Sequence, residues 1–154
     1  MEKLIFDDGC KEYEINGDPN RVLRFNPADI GFIERLEGAL QNVTKEMESL
    51  KGIKLSPTGN ALDEASEAAE LVRGMNKSLR ASFDQIFYPG AADVVFGAMN
   101  PLALSGGHTI YENFLKAFVA IVKPTMDTEV KATQEHLEKY KGEYDRLPAG
   151  SAQN

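Results

Sequence analysis

The sequence predicts an α+β fold that is mostly α, with a small antiparallel β meander packed on a helical bundle. Three observations lead there. Polar–apolar alternation is confined to the first 25 residues. From residue 26 onward the apolar residues recur at intervals of three and four, the helical period. Glycine and proline gather in a few places between those runs instead of being spread through them. The 154 residues fit one domain, assigned to 1–147, with residues 148–154 as a flexible tail.

The β part comes first. Leu4-Ile5-Phe6 is a short apolar run ended by the turn formers Asp7-Asp8-Gly9. Lys11-Glu12-Tyr13-Glu14-Ile15 alternates as a half-buried strand does, and Arg21-Val22-Leu23-Arg24-Phe25 follows a second turn-rich stretch, Asn16-Gly17-Asp18-Pro19-Asn20. Strands so few and short need a helix to pack on.

An antiparallel helical hairpin is expected over residues 26–88. Asn26 suits an N-cap, Pro27 the first helical position and Asp29 the first turn. Ile33, Leu36, Leu40, Val43, Met47 and Leu50 are then spaced alternately by three and four, an a/d seam ending at Gly52. The seam would suit either an intramolecular partner or an oligomer. A loop follows over 52–59, with Asn60 as the next N-cap. Leu62, Ala65, Ala69, Val72, Leu79, Phe83 and Ile86 form the second stripe, bridged at Met75 or Asn76, and its early alanines would let the partner helix approach closely. Gly74 weakens its middle.

The C-terminal helices occupy 89–147. Pro89-Gly90 ends the hairpin, and a short helix is expected around Val94, Val95 and Phe96. Asn100-Pro101 and Ser105-Gly106-Gly107 mark irregular chain, and Thr109 with Glu112 makes a capping-box pattern. Ile110, Phe114, Leu115, Phe118, Ile121 and Val122 predict a deeply buried helix that Pro124 kinks or breaks. Thr125 then restarts a charged helix through Val130, Leu137, Tyr140 and Tyr144.

Composition narrows the function. Asp plus Glu total 24 against 17 Lys plus Arg, a formal net charge of −7. That balance repels phosphate backbones and anionic lipid, so neither nucleic acid nor a membrane is expected as a partner. The single cysteine, Cys10, forms no internal disulfide, and no apolar run approaches bilayer length or the core of a signal peptide. A cytoplasmic location is expected.

A search for chemistry yields no catalytic residue, cofactor site or metal site. No phosphate loop, dinucleotide fingerprint, HExxH helix or G-x-S-x-G elbow occurs. His108, in Gly106-Gly107-His108-Thr109, reads as a loop histidine, and His136 lies on a charged helix. Asp63, Glu64, Glu67 and Glu70 read as a solvated acidic face, because no Glu-x-x-His partner accompanies them. Cys10 has only Lys11 nearby to lower its pKa. The aromatics Phe83, Phe87, Tyr88, Phe96, Tyr111, Phe114 and Phe118 admit two readings, core packing or the lining of a groove for a partner helix.

One stretch carries a family resemblance. Phe83-Asp84-Gln85-Ile86-Phe87 leads into Asp93-Val94-Val95-Phe96-Gly97, then Asn100-Pro101-Leu102, a turn, and Tyr111-Glu112-Asn113-Phe114-Leu115, before a charged helix with Tyr140. In the N-terminal half, strands run into a helix through Phe25-Asn26-Pro27-Ala28-Asp29 and Phe32-Ile33-Glu34-Arg35-Leu36. Across most of residues 11–144 this order resembles the tail assembly chaperones of long-tailed phages and prophages of Gram-positive bacteria. The resemblance implies a non-enzymatic role in virion morphogenesis. Its client would be the long, hydrophobic tape measure protein, its further partner the tail tube protein, and self-association is expected. It also places the client surface on the seven aromatics between Phe83 and Phe118. A head–tail connector or minor tail protein is the alternative reading.

Overall fold

The computed structural model describes residues 1–51 and 61–145. The expected loop over 52–59, the Asn60 cap and the tail after Leu147 lie outside the described residues, as do the side chains of Leu50, Leu62 and Tyr144.

The fold is mostly α, with a two-stranded antiparallel hairpin packed on the helices. Strand β1 (Lys11–Ile15) pairs with β2 (Asp18–Phe25), Tyr13 opposite Leu23 and Lys11 opposite Phe25. Asn16 and Gly17 both take positive φ, as a tight hairpin turn requires. The expected meander thus reduces to a hairpin. Residues 1–6 add no strand, and Leu4, Ile5 and Phe6 stand in solvent. Two successive Asx hydrogen bonds, Gly9 N–H to Asp7 Oδ1 and Cys10 N–H to Asp8 Oδ1, lie between this segment and β1.

Helix α1 (Gly31–Leu50) begins later than the Asn26 cap predicts. Asn26 Oδ1 accepts from Ala28 N–H at 2.8 Å and Asp29 Oδ1 from Gly31 N–H at 2.8 Å. Each side chain closes a local turn that competes with the helix, so residues 26–30 form turns around the buried Pro27. Helix α2 (Ala61–Ile86) packs on α1, and among the described side chains its buried residues lie in its second half. Met75, Leu79, Phe83 and Ile86 are buried, whereas Ala65, Ala69 and Val72 are exposed, so no close approach occurs at those alanines.

The short helix α3 (Ala91–Phe96) follows Gly90, whose φ of 93° only glycine adopts cheaply. A miniature hairpin of β3 (Leu104–Ser105) and β4 (His108–Thr109) then turns on Gly106 and Gly107, where the sequence predicts irregular chain. It aims the chain into α4 (Ile110–Asp145). The first N–H groups of α4, which lack intrahelical acceptors, are taken up by neighbours. Ile110 N–H donates to Ala103 O at 2.7 Å, Tyr111 N–H to Pro101 O at 2.9 Å and Glu112 N–H to Thr109 Oγ1 at 3.1 Å.

Of the two outcomes expected at Pro124, a kink or a break, the break does not occur, for α4 runs on through it. It sits on the exposed side, where water reaches the carbonyl that loses its donor, and Thr125 Oγ1 donates to Ile121 O at 2.9 Å.

The core is an aromatic network with two hubs. The ring of Phe25 stacks on Tyr13 at 4.6 Å and meets Phe32, Phe87 and Phe118. Phe83 meets Phe87, Phe96, Tyr111 and Phe114. Phe87, Phe114 and Phe118 join the hubs, so α1, α2, α3, α4 and the hairpin share one apolar interior. Edge-to-face pairs of this kind each add about 0.5–1.5 kcal/mol beyond the area they bury.

Candidate protein-binding surface

Six of the seven aromatics expected to face a client pack on one another, and Tyr88 borders the polar hollow beside β2. Phe83, Phe96, Tyr111 and Phe118 are buried, and Phe87, Tyr88 and Phe114 are half-buried. Four of the expected client contacts are thus covered within the chain, while Phe87, Tyr88 and Phe114 keep part of their surface in solvent. Helical spacing makes an apolar face, and here the partners of that face are α1, α3 and the hairpin of the same chain.

The exposed apolar surface lies elsewhere, and α1 shows why. Its buried line is Phe32 and Ala39, flanked by the half-buried Leu36 and Val43. Ile33, Leu40 and Met47, spaced by seven, form the neighbouring line and stay in solvent, Ile33 at 67% exposure. The predicted seam therefore splits, one half inside and the other out. On α4, Val119, Val130, Leu137 and Tyr140 are exposed. Between the two helices runs a strongly apolar groove of about 220 Å³, walled by Ile33 and Leu36 on one side and Val119, Val122 and Met126 on the other. Beyond it, the side chains of residues 127–141 of α4 are all exposed.

A second apolar groove, of about 410 Å³, lies on another side of α4, between Phe114, Ala117 and Ile121 and residues 13–16 of the hairpin. A third hollow of about 530 Å³ is more polar and is bordered by Cys10, Arg24, Arg35 and Tyr88. Its cations are already engaged. Arg35 Nη2 reaches Asp29 Oδ2 at 2.8 Å and its Nε donates to Ile86 O, while Arg24 meets Asp8 at 3.5 Å. The hydrogen bond from Arg35 holds the Asp29 carboxyl below its ordinary value despite partial burial. Desolvation, and next the Asp8 carboxylate, pushes the Cys10 thiol up, which makes it a weak nucleophile at neutral pH.

Of the remaining polar residues picked out by the sequence, those described are not brought together, and the side chains of Asp63 and Glu64 lie outside the described residues. His108 Nδ1 pairs with Glu112 Oε2 at 3.1 Å on the surface. His136 lies far along α4 in solvent, and Glu67 and Glu70 are exposed on α2. Among the described residues no three His, Cys, Asp or Glu side chains gather as a metal would need. No described helix is long and apolar enough to cross a membrane. Sequence reasoning missed both apolar grooves. The signal available was Ile33, Leu40 and Met47, since a strict heptad line is narrower than the face of a core helix.

No protein-family model, curated protein or solved structure matches the chain.

Proposed function

We propose that this chain is a non-enzymatic tail assembly chaperone that holds the tape measure protein of a long-tailed phage in the bacterial cytoplasm during tail morphogenesis, with the tail tube protein as a further partner. The residue order from Phe83 to Leu115, which resembles that family, supports the phage assignment. The observation that carries the binding role is the apolar groove between α1 and α4, where the exposed Ile33 and Val119 flank Leu36, Val122 and Met126. An apolar groove between two helices accepts the apolar stripe of a third, and a tape measure protein rich in such stripes needs them covered. The acidic surface keeps the loaded complex dispersed.

The test is co-expression with the long helical protein encoded by a neighbouring gene. Ile33→Asp with Val119→Asp changes two exposed positions, so the far-ultraviolet circular dichroism should stay as it is while co-purification is lost. Undiminished capture by that variant sinks the α1–α4 groove as the client site. The lack of any neighbouring gene for a long helical protein would count against the phage reading itself.

A further inference from the structure

We propose that residues 1–6 form an exchange arm that docks, as an added β-strand, in the groove between β1 and α4 of a second copy of this chain.

The groove has the form that an extended segment needs. It is lined by three consecutive residues of β1, 13–15, and by Asn16 of the turn, whereas β2 contributes only the alternate Leu23 and Phe25. It therefore runs along the edge of β1. That edge is unpaired, for among the described residues the backbone groups of residues 11–15 make no hydrogen bond except those to β2. The far wall is the apolar face of Phe114, Ala117 and Ile121. An open strand edge beside an apolar wall takes a strand and disfavours a helix, whose backbone groups are already satisfied. This separates it from the α1–α4 groove, which has no strand edge.

The arm has the matching chemistry. Leu4, Ile5 and Phe6 are consecutive apolar residues exposed by 90%, 86% and 73%. In an extended chain Leu4 and Phe6 fall on one side, about 7 Å apart, so both can enter an apolar trough while the backbone pairs with β1. The arm does not fill its own groove. Asn26 Nδ2 donates to Asp8 O at 3.0 Å and Arg24 reaches the Asp8 carboxylate, which ties the root to the end of β2. Beyond the two Asx hydrogen bonds at residues 7–10 the apolar residues stand in solvent.

A second copy is the occupant because the root of the arm is tied to β2 while its apolar residues stay in solvent. Leu4 and Phe6, the two that face the trough, offer roughly 300 Å² per arm, and two reciprocal arms with the strand edges and walls they cover reach roughly 1,000 Å², the low end of specific interfaces and enough for a dimer at high concentration. Reciprocal exchange also closes, which leaves no arm and no β1 edge free to propagate. The α1–α4 groove stays open in such a dimer, so the proposal stands or falls apart from the client reading.

Sedimentation velocity on the full chain at high concentration tests it with two variants at exposed positions. Leu4→Asp with Phe6→Asp spoils the arm, and Ala117→Glu spoils the groove. The unaltered chain should be a dimer, each variant a monomer with unchanged circular dichroism, and an equimolar mixture of the two should regain dimer through its one intact arm-and-groove pair. A monomeric unaltered chain overturns the proposal, as does a dimer that survives loss of the arm. A dimer that ignores Ala117→Glu but needs the arm overturns the groove as its seat.

Discussion

Arg80 and Asp84 stand one turn apart on α2 and hold opposite ends of α3. Asp84 Oδ2 accepts from Gly90 N–H at 3.0 Å and Oδ1 from Ala92 N–H at 2.8 Å, at the start of α3. Arg80 Nη2 donates to Gly97 O at 2.6 Å and Met99 O at 2.8 Å, just past its end. Arg21 adds bonds from β2 to Val94 O and Val95 O. A helix of six residues has no stability of its own. Here an anion at its positive end and cations at its negative end supply what its length cannot.

These clamps should be worth unequal amounts. Asp84→Ala is expected to cost about 1–2 kcal/mol, as the loss of a cap does. Arg80→Ala is expected to cost about 2–3 kcal/mol, because a mostly buried guanidinium serves two carbonyls that would be left bare. Arg80→Lys should recover little, since one ammonium cannot span both. Asp93→Ala should be nearly neutral in urea denaturation, for this partner of Arg80 is 80% exposed. A loss at Asp93 equal to that at Arg80 would show that the ion pair matters and the carbonyl bonds do not.

Tyr111 predicts an alkaline weakness. Its ring is fully buried among Phe83 and Phe96, and its hydroxyl has no partner among the described residues. Burial pushes its pKa up to about 12. The unfolded chain releases this proton near pH 10, so the folded state is fully favoured below pH 10 and loses that advantage as the pH climbs toward 12. Tyr111→Phe removes an unsatisfied buried hydroxyl and should gain about 1 kcal/mol at neutral pH. It should also flatten the fall in stability between pH 10 and 12, read from thermal melts. A variant less stable than the parent at neutral pH would mean that the hydroxyl is bonded after all.

Gly74 and Gly90 form a matched pair, because an added methyl would meet open space at both. Gly74 lies exposed inside α2, and Gly74→Ala should stabilise by about 1 kcal/mol. Gly90 has φ of 93°, and Gly90→Ala should destabilise by about 1–2 kcal/mol. Equal effects of the same sign in chemical denaturation would contradict the backbone geometry at Gly90.

Much of the architecture was legible in the residues because it depends on local rules. Alternation placed β1 and the second half of β2, Pro89-Gly90 marked the end of α2, and Thr109 capped α4 as its spacing with Glu112 predicts. Local rules failed where two of them competed. At Asn26 and Asp29 the same side chains that cap helices closed turns instead, and at Pro124 the helix runs on because the proline sits on its solvent side.

The chain by itself determined which segments are strand or helix, and that its apolar residues suffice for one core. Only the tertiary structure decided which side of each helix is inside. On α1 the lines through Phe32 and Ile33 are one residue apart, about 100° around the axis, and both are apolar. Phe32 went in because Phe25, Phe87 and Phe118 converge on it from three other elements. Ile33 remained outside because nothing in the described chain covers it. Periodicity states that a face exists; the phase of that face depends on neighbours distant in sequence, and so does the distinction between a core and a surface left for another polypeptide.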